Sequence, residues 1–439
     1  MKRVRALKKG SKRVLVRHAG EKEVASGEFE LLNGERVSTD ATLSGYLLPF
    51  VVAGVVQKLQ EEAAELLGSN PVLAKWGKTL GSVYLGGQKL AVERPRVRDL
   101  DGRSEVNLPS YERLQERKVF DERVYRDGLR RVSQRDYEGG VEELACAFGV
   151  SGSSVSRAWI RATAASLSTL QERRLEELGI VAVLLDGKHF RSHSTLVALG
   201  IGETGHRHVL GIYETSSENK EACKELLNDL EKRGLPQEGL LFVVDGGAGI
   251  NAALDEKYQT NDRAKRRAVR IRCYRHKKEN LKAVLPKDST KTDDALVTFE
   301  NLRTAPTLEA AVDITRSLES QLKSLNLSAL KSFQEAKEDL MELHHLGFAS
   351  LLKRFFSTTN AVESLNSILE EDLRRNKRWR NTSHFQRALA AASLHAERRM
   401  NSRRIKGHKG LAGLRARVIA ACPALGNHSV QFDQSIEAA

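Results

Sequence analysis

Cysteine is scarce in this sequence: four among 439 residues, at Cys146, Cys223, Cys273 and Cys422, with no pair in Cys-x-x-Cys spacing. That excludes a small disulfide scaffold and suits a reducing compartment, where thiols stay free or buried. Long apolar runs are lacking too. The longest, Tyr46 to Val56, is about half a membrane span and contains Pro49. The basic N-terminal stretch has no adjacent apolar segment or cleavage site, so a secretory leader is not expected. No internal repeat and no low-complexity segment interrupts the chain. Together these absences lead us to expect a cytoplasmic protein without a membrane partner. What is present, 40% apolar and 29% charged residues over a length suited to about three domains, reads as soluble and globular.

Acidic residues are outnumbered, 57 Asp and Glu against 71 Lys and Arg, giving a net charge of +14. The excess is not spread evenly. Residues 1–24 hold nine Lys/Arg against two Glu, residues 262–282 ten against two, and residues 371–409 twelve against three. These blocks total +24, so the remaining chain is acidic. A solvated face mixes signs, whereas concentrated blocks of one sign indicate a polyanion held at several places. The blocks lack the aromatic and aliphatic face of an interfacial helix, which favours nucleic acid over a membrane surface.

Along the chain, residues 1–40 read as loosely structured and 44–67 as helical. Gly81 to Val97 reads as a short hairpin around Gly86-Gly87, closed by Pro95, and 110–175 as helical. At Gly179 the texture changes. Val181–Leu185 is a continuous apolar run ending in Asp186-Gly187. Strands are expected near Leu196–Ile201 and His208–Tyr213, joined by a turn at 202–205. An amphipathic helix from Glu218 to Arg233 follows. Leu240–Val244 is a second apolar run ending in Asp245-Gly246, and a short strand at Val269–Cys273 leads into a helix from His276 to Val284. Residues 290–350 read as helical. Strand, hairpin, helix, strand, helix, strand, helix is an α/β order.

Val141 to Trp159 (VEELACAFGVSGSSVSRAW) has the features of a helix-turn-helix. Ala145 stands where two helices cross, Gly149 in the turn, and Val155 pins the second helix. That helix would expose Ser153, Ser154, Ser156, Arg157 and Arg161, small donors and cations suited to a groove and its phosphates. An ordinary helix pair joined by a glycine turn is the plainer alternative.

Asp186 and Asp245 each end an apolar run, which would put two carboxylates at the sheet edge where α/β folds place ligands. An Asp-Gly pair also simply makes a turn after a buried strand. A third acid is offered by Thr358 to Arg375, where Val362, Leu365, Leu369 and Leu373 form an apolar stripe and Glu363, Asn366 and Glu370 share another face. Asn360 and Glu363 have capping-box spacing, so Glu363 has a purely structural reading too. Periodicity alone does not choose among Glu363, Glu370 and Glu371.

The strand order, the spacing of these acids and four local motifs resemble the Mutator-type bacterial insertion-sequence transposases. The motifs are Leu185-Asp186-Gly187; Val244-Asp245-Gly246-Gly247-Ala248-Gly249; Arg272-Cys273-Tyr274-Arg275-His276-Lys277; and Thr359-Asn360-Ala361-Val362-Glu363-Ser364-Leu365-Asn366. Gly81–Val97, with Pro95-Arg96, also resembles the stretch before the family's DNA-binding helices. The likeness covers roughly residues 45–380. It departs at Gly247, where a larger polar residue is expected, and in a stretched interval from Asp245 to Cys273.

This resemblance implies an RNase H-like catalytic core, a mixed sheet flanked by helices, with an all-helical insertion and an N-terminal helix-turn-helix region. Asp186, Asp245 and Glu363 match the family's acidic triad, and Cys273 and His276 its Cys-x-x-His motif. Two Mg²⁺ ions are implied as cofactors, with Mn²⁺ able to substitute. Arg272, Lys277, Lys278, Arg374 and Arg375 join the helix-turn-helix residues as expected DNA contacts. Implied partners are double-stranded DNA, at terminal inverted repeats and a target, and further copies in a dimer or larger synaptic complex, in the nucleoid. The expected layout is a basic arm, helix and hairpin (1–100), a DNA-binding region (101–178), the first part of the core (179–289), the insertion (290–350), the helix bearing Glu363 (351–380) and a basic helical tail (381–439). A non-catalytic DNA-binding regulator, a domesticated transposase and a nuclease of the same fold are the alternatives. Zinc at Cys273 and His276 is not expected, for want of a second pair with finger-like spacing.

Overall fold

The computed structural model describes residues 43–423 apart from 86–87, 102–103, 130–151, 191–192, 216–218, 288, 349, 375–378 and 380. Before residue 43 it describes the backbone of five short strands: β1 (Arg5–Ala6), β2 (Leu15–Arg17), β3 (Glu23–Ala25), β4 (Glu28–Glu30) and β5 (Arg36–Ser38). They pair as β1-β4-β5 and β2-β3, where the sequence suggested loose chain. The molecule divides into two units, 1–162 and 163–439. No helix among the described residues is long and apolar enough to cross a membrane.

In the first unit the apolar run at 46–56 belongs to helix α1 (Leu43–Ser69). Its Leu59 and Ala63 are buried with Val97 and Leu108, and Val52, Val55 and Val56 pack against Val83, Leu90 and Val92. Those valines and leucines come from the hairpin β6 (Leu73–Leu85) and β7 (Gln88–Asp99), to which β8 (Glu105–Val106) adds. The hairpin is longer than its sequence signal because Pro95 does not end it. Pro95 lacks an N–H, and opposite it the register slips between Lys75 and Lys78, with Gly77 at φ +77°. Helices α2 (Pro109–Arg113), α3 (Lys118–Leu129) and α4 (Gly152–Glu172) follow, and the division into units falls within α4. Val155 and Ala158 of α4 are buried with Val124 of α3. Val155 thus packs on α3, while residues 141–150, the first helix and turn of the expected helix-turn-helix, lie outside the described residues.

The second unit is built on a mixed sheet of β9 (Ile180–Phe190), β10 (His193–Gly202), β11 (Arg207–Thr215), β12 (Leu241–Val244) and β13 (Val269–Arg272), in the order β11-β10-β9-β12-β13. The first three run antiparallel, and β12 is parallel to both β9 and β13. Alternate residues serve opposite faces. Val183, Leu185, Phe242 and Val244 pack under α5 (Lys220–Lys232) and α6 (Ala248–Tyr258). Leu184, Leu241 and Val243 pack with α12 (Asn360–Leu373) and α13 (Thr382–Met400). Burial on both faces is why the strands read as unbroken apolar runs rather than alternating ones.

Helix α7 (Tyr274–Val284) leads to the insertion: α8 (Thr290–Thr304), α9 (Leu308–Leu325) and α10 (Leu327–His345), with its own core around Phe299, Leu318, Phe333 and Leu340. Helix α11 (Ser350–Phe356) returns the chain to the sheet, and α14 (Leu414–Ala420) follows α13. Residues 382–400 are not a tail. Phe385, Leu389, Ala392 and Ala396 recur at helical spacing and are buried in the sheet's core, while the basic residues of the block leave that stripe clear.

Candidate active site

β9 and β12 pair in parallel from Leu241 opposite Ala182 to Val244 opposite Leu185. Asp186 and Asp245 are the next residues, so two carboxylates stand one step beyond the last parallel pair of adjacent strands. Asp186 does not end its strand as expected, however. It pairs with Val197, and β9 continues to Phe190 against β10. The parallel side stops because Gly246 turns the chain away at φ +102°, whereas the antiparallel partner continues. A Cβ on Gly246 would lie 2.1 Å from Arg272 Nη2, so the turn is closed to other residues. Asp245 also does what a turn residue does, accepting a hydrogen bond from the Gly247 N–H at 2.9 Å. The turn reading and the site reading both hold for it.

On β13 the corresponding position is Cys273, whose N–H donates to the Val244 carbonyl at 2.8 Å. Its buried sulfur accepts from the N–H and the hydroxyl of Thr359, both at 3.4 Å. Burial pushes the Cys273 thiol up, but hydrogen bonding with His276 and Thr359 more than offsets this and holds it below the ordinary thiol value. His276 is shifted up, first by Cys273 and against its burial, with the charges of Asp245 and Glu363 adding in the same direction.

Thr359, not Asn360, is the N-cap of α12, and it makes no side-chain capping bond. The box is displaced by one residue because the Thr359 hydroxyl donates to Glu363 Oε1 at 2.9 Å instead. Arg275 is ion-paired with the same oxygen, and His276 Nε2 lies 3.7 Å from it. All these contacts fall on Oε1. The stripe Val362, Leu365, Leu369 and Leu373 is buried as its spacing predicts and presses α12 on the sheet. One turn on from Glu363, Asn366 is also buried, and its Nδ2 donates to Asp186 Oδ2 at 2.7 Å. The helix of the third acid is thereby tied to the first. Glu370 pairs with Lys188 at 3.1 Å and Glu371 with Arg399 at 3.1 Å, both on more exposed ground. Of the three glutamates that periodicity left open, Glu363 is the one brought to Cys273 and His276.

The three acids offer oxygen donors only, a set suited to a hard cation such as Mg²⁺. Among the described residues, no three His, Cys, Asp or Glu side chains converge closely enough to hold a metal ion as they stand, and the Arg275 guanidinium already balances Glu363.

Of the expected DNA contacts, those in the 262–282 block have partners within the protein. Arg272 pairs with Glu335 at 2.7 Å, Lys277 with Glu335 at 3.0 Å and Lys278 with Glu300 at 2.9 Å. Arg266 meets Glu342 at 2.7 Å and Arg270 meets Asp339 at 2.8 Å. The insertion supplies each of these carboxylates, so these five cations are engaged within the fold, while Arg263, Lys265, Arg275 and Lys282 of the same block are exposed. Arg161 pairs with Asp121 of α3 at 2.7 Å. Arg157 and Arg374 are exposed and Ser156 half-buried; Arg375 and the side chains of Ser153 and Ser154 lie outside the described residues. Sequence reasoning gave no separate role to Thr359 or Arg275, both of which sit inside motifs it had already marked.

Residues 82–398, well over half of the chain, match the family described as "Transposase, Mutator family". The chain is 28% identical over 191 residues to the transposase for insertion sequence element IST2 of Acidithiobacillus ferrooxidans, covering 43% of this chain and 60% of that protein. It is 25% identical over 239 residues to the transposase for insertion sequence element IS905 of Lactococcus lactis subsp. lactis (strain IL1403), covering 52% and 57%. With the transposase for insertion sequence element ISRM5 of Rhizobium meliloti (strain 1021) it shares 29% identity over 309 residues, covering 64% and 71%. The chain thus spans less than two thirds of the length of the first two relatives. The family match takes in β9, β12, β13 and the helix of Glu363, and on that extent the chain belongs to the Mutator family of transposases.

Proposed function

We propose that this protein moves a bacterial insertion-sequence element: it binds double-stranded DNA at the element's terminal inverted repeats, cleaves there, and joins the freed ends to a target. The observation that carries this reading is the meeting of Asp186 and Asp245 on adjacent strands, with the Glu363 helix tied to Asp186 through Asn366. Three acids delivered by two parallel strands and a helix packed on their sheet are the acidic triad of an RNase H-like core. Asp186, Asp245 and Glu363 would hold Mg²⁺, which when bound supplies Lewis-acid activation of the attacking and leaving oxygens.

The protein's own residues do the positioning. Asn366 fixes one oxygen of Asp186, Gly247 fixes one of Asp245, and Thr359 fixes one of Glu363, which leaves each carboxylate little rotational freedom. Arg275 places a guanidinium beside Glu363, where a phosphate oxygen would need a donor. Water is the attacking group in the first cut and the freed 3′-hydroxyl in the joining step, so no Ser or Cys nucleophile is required. Pairing two element ends calls for two or more copies in a synaptic complex.

The test is to incubate the purified protein with Mg²⁺ and labelled duplexes carrying the element's ends. Cut and joined strands are expected. Asp186→Asn should bind the ends and cut nothing, while Glu370→Gln, an exposed change away from the triad, should stay within about twofold of the parent. Cleavage surviving in Asp186→Asn would sink the assignment. Cutting without joining would make the protein a nuclease of this fold.

A further inference from the structure

With half of the 262–282 cations engaged by the insertion, a second set of cations gathers elsewhere. Arg207, Arg354, Arg403, Arg404 and Lys406 line a groove of about 640 Å³, and no Asp or Glu lines it. They come from the start of β11, from α11 and from the segment after α13. Among the described residues none of the five meets a carboxylate. Arg207 is instead held by the main-chain carbonyls of Met400 at 3.0 Å and Arg403 at 2.9 Å. Five like charges gathered without a counter-charge repel one another, and an extended polyanion relieves that repulsion.

The groove shares helix α12 with the candidate site. Asn360 and Ser364, on the first turns of α12, line it on either side of Glu363 in sequence. A smaller cleft of about 320 Å³ shares Arg354, Thr358 and Asn360 with it and is also lined by Tyr274, Arg275, Arg303 and one carboxylate, Glu300; Arg275 is the ion-pair partner of Glu363. The groove also has an apolar side, formed by Phe355, Met400 and Ile405. Phosphates need only the cations. An aromatic ring among them suits bases that have left the stack and present a π-face, as in proteins that track single strands.

We propose that this groove holds one unpaired DNA strand and guides it to Glu363, Arg354 and the segment 403–406 gripping its phosphates and Phe355 stacking against a base. The proposal deepens the reading of the acids as a DNA-cleaving site and rests on it.

The test uses the full-length protein and a short fluorescein-labelled oligothymidylate, with binding followed by anisotropy across a salt series. The triple variant Arg403→Ala, Arg404→Ala, Lys406→Ala changes only exposed side chains. Its salt slope should fall by about 0.7 per lost contact, roughly two units in all, with affinity down about tenfold or more. Phe355→Leu keeps an apolar side chain against the core but removes the ring, which also meets Phe356 edge to face at 5.0 Å; it should weaken binding roughly tenfold while leaving the slope unchanged. Binding of the element-end duplex should change little in either variant. Parental affinity and slope in the triple variant overturn the proposal, as does an equal loss for duplex and single strand. Asp186→Asn, measured in parallel, should bind oligothymidylate as the parent does. Unchanged strand binding in the triple variant, beside lost cleavage in Asp186→Asn, sinks the groove alone; cleavage surviving in Asp186→Asn sinks the triad alone.

Discussion

His344, on α10, is buried, with the ammonium of Lys353 3.4 Å from its Nδ1. Burial first, and that charge second, push its pKa from 6.5 down to about 4. Above pH 6.5 the ring is neutral in both folded and unfolded chains, and stability is unaffected. As the pH falls below 6.5 the unfolded chain takes up a proton that the folded chain refuses, so stability is lost, by about 3 kcal/mol when pH 4 is reached. Neighbouring His345 is shifted down by burial as well and acts in the same direction. Denaturant midpoints at neutral and mildly acid pH should show this decline, and His344→Gln should flatten it. An unaltered pH slope in His344→Gln would assign the decline to other groups.

At the scale of elements, the insertion is fastened to the sheet by charge. Glu342 of α10 is nearly inaccessible, 4% exposed, and meets Arg266, 5% exposed, at 2.7 Å, with Arg263 at 3.1 Å. Removing one member of such a pair strands the other in a poorly solvated place. Glu342→Ala should therefore cost about 3–5 kcal/mol, read as a lowered denaturant midpoint. Asp313→Ala, which breaks the exposed Arg316–Asp313 pair, should leave the midpoint where it was. Equal midpoints for both variants would show that the buried pair carries no weight.

These elements also mark what was legible beforehand. The two apolar runs ending in Asp-Gly and the stripe Val362, Leu365, Leu369 and Leu373 could be read because burial on a sheet or a helix face imposes a local period. Charge has no such period. The ten cations of 262–282 looked like one surface for nucleic acid because the partners of Arg266, Arg270 and Arg272, namely Glu342, Asp339 and Glu335, lie about 60–80 residues further on, in helices read only as an insertion. The groove beside Glu363 escaped notice for the same reason, its cations coming from three distant segments. The capping box at Asn360 failed by one residue because Thr359 gives its hydroxyl to Glu363 rather than to the backbone.

Over the whole molecule, the hydrophobic clusters around the mixed sheet and within the insertion draw only on residues from Leu167 onward. A core complete within one unit should survive without the other. A chain of residues 152–439, which keeps α4 whole, is expected to melt cooperatively and to retain near-ultraviolet circular dichroism. A broad, featureless transition would show that the first unit is needed to fold the second. The net charge of +14 takes a different meaning at this scale. Much of the middle block is spent inside the fold, so the field felt by an approaching anion comes from the cations that remain unpaired.

The bond between Thr359 and Cys273, described above as a detail of the site, separates two kinds of distance. Asp245 and Glu363 are far apart along the chain, yet Glu363 stands where it does because Thr359 is anchored to the residue following β13 and α12 is pressed on the sheet. Neither anchor depends on how much chain loops out between α7 and α11. The position of the acid is thus set where the chain returns to β13 and the sheet, not by the length of chain between. Spacing between the second and third acids is therefore a poor ruler for finding such sites, and a threonine four residues before a glutamate on a buried helical stripe is a better one.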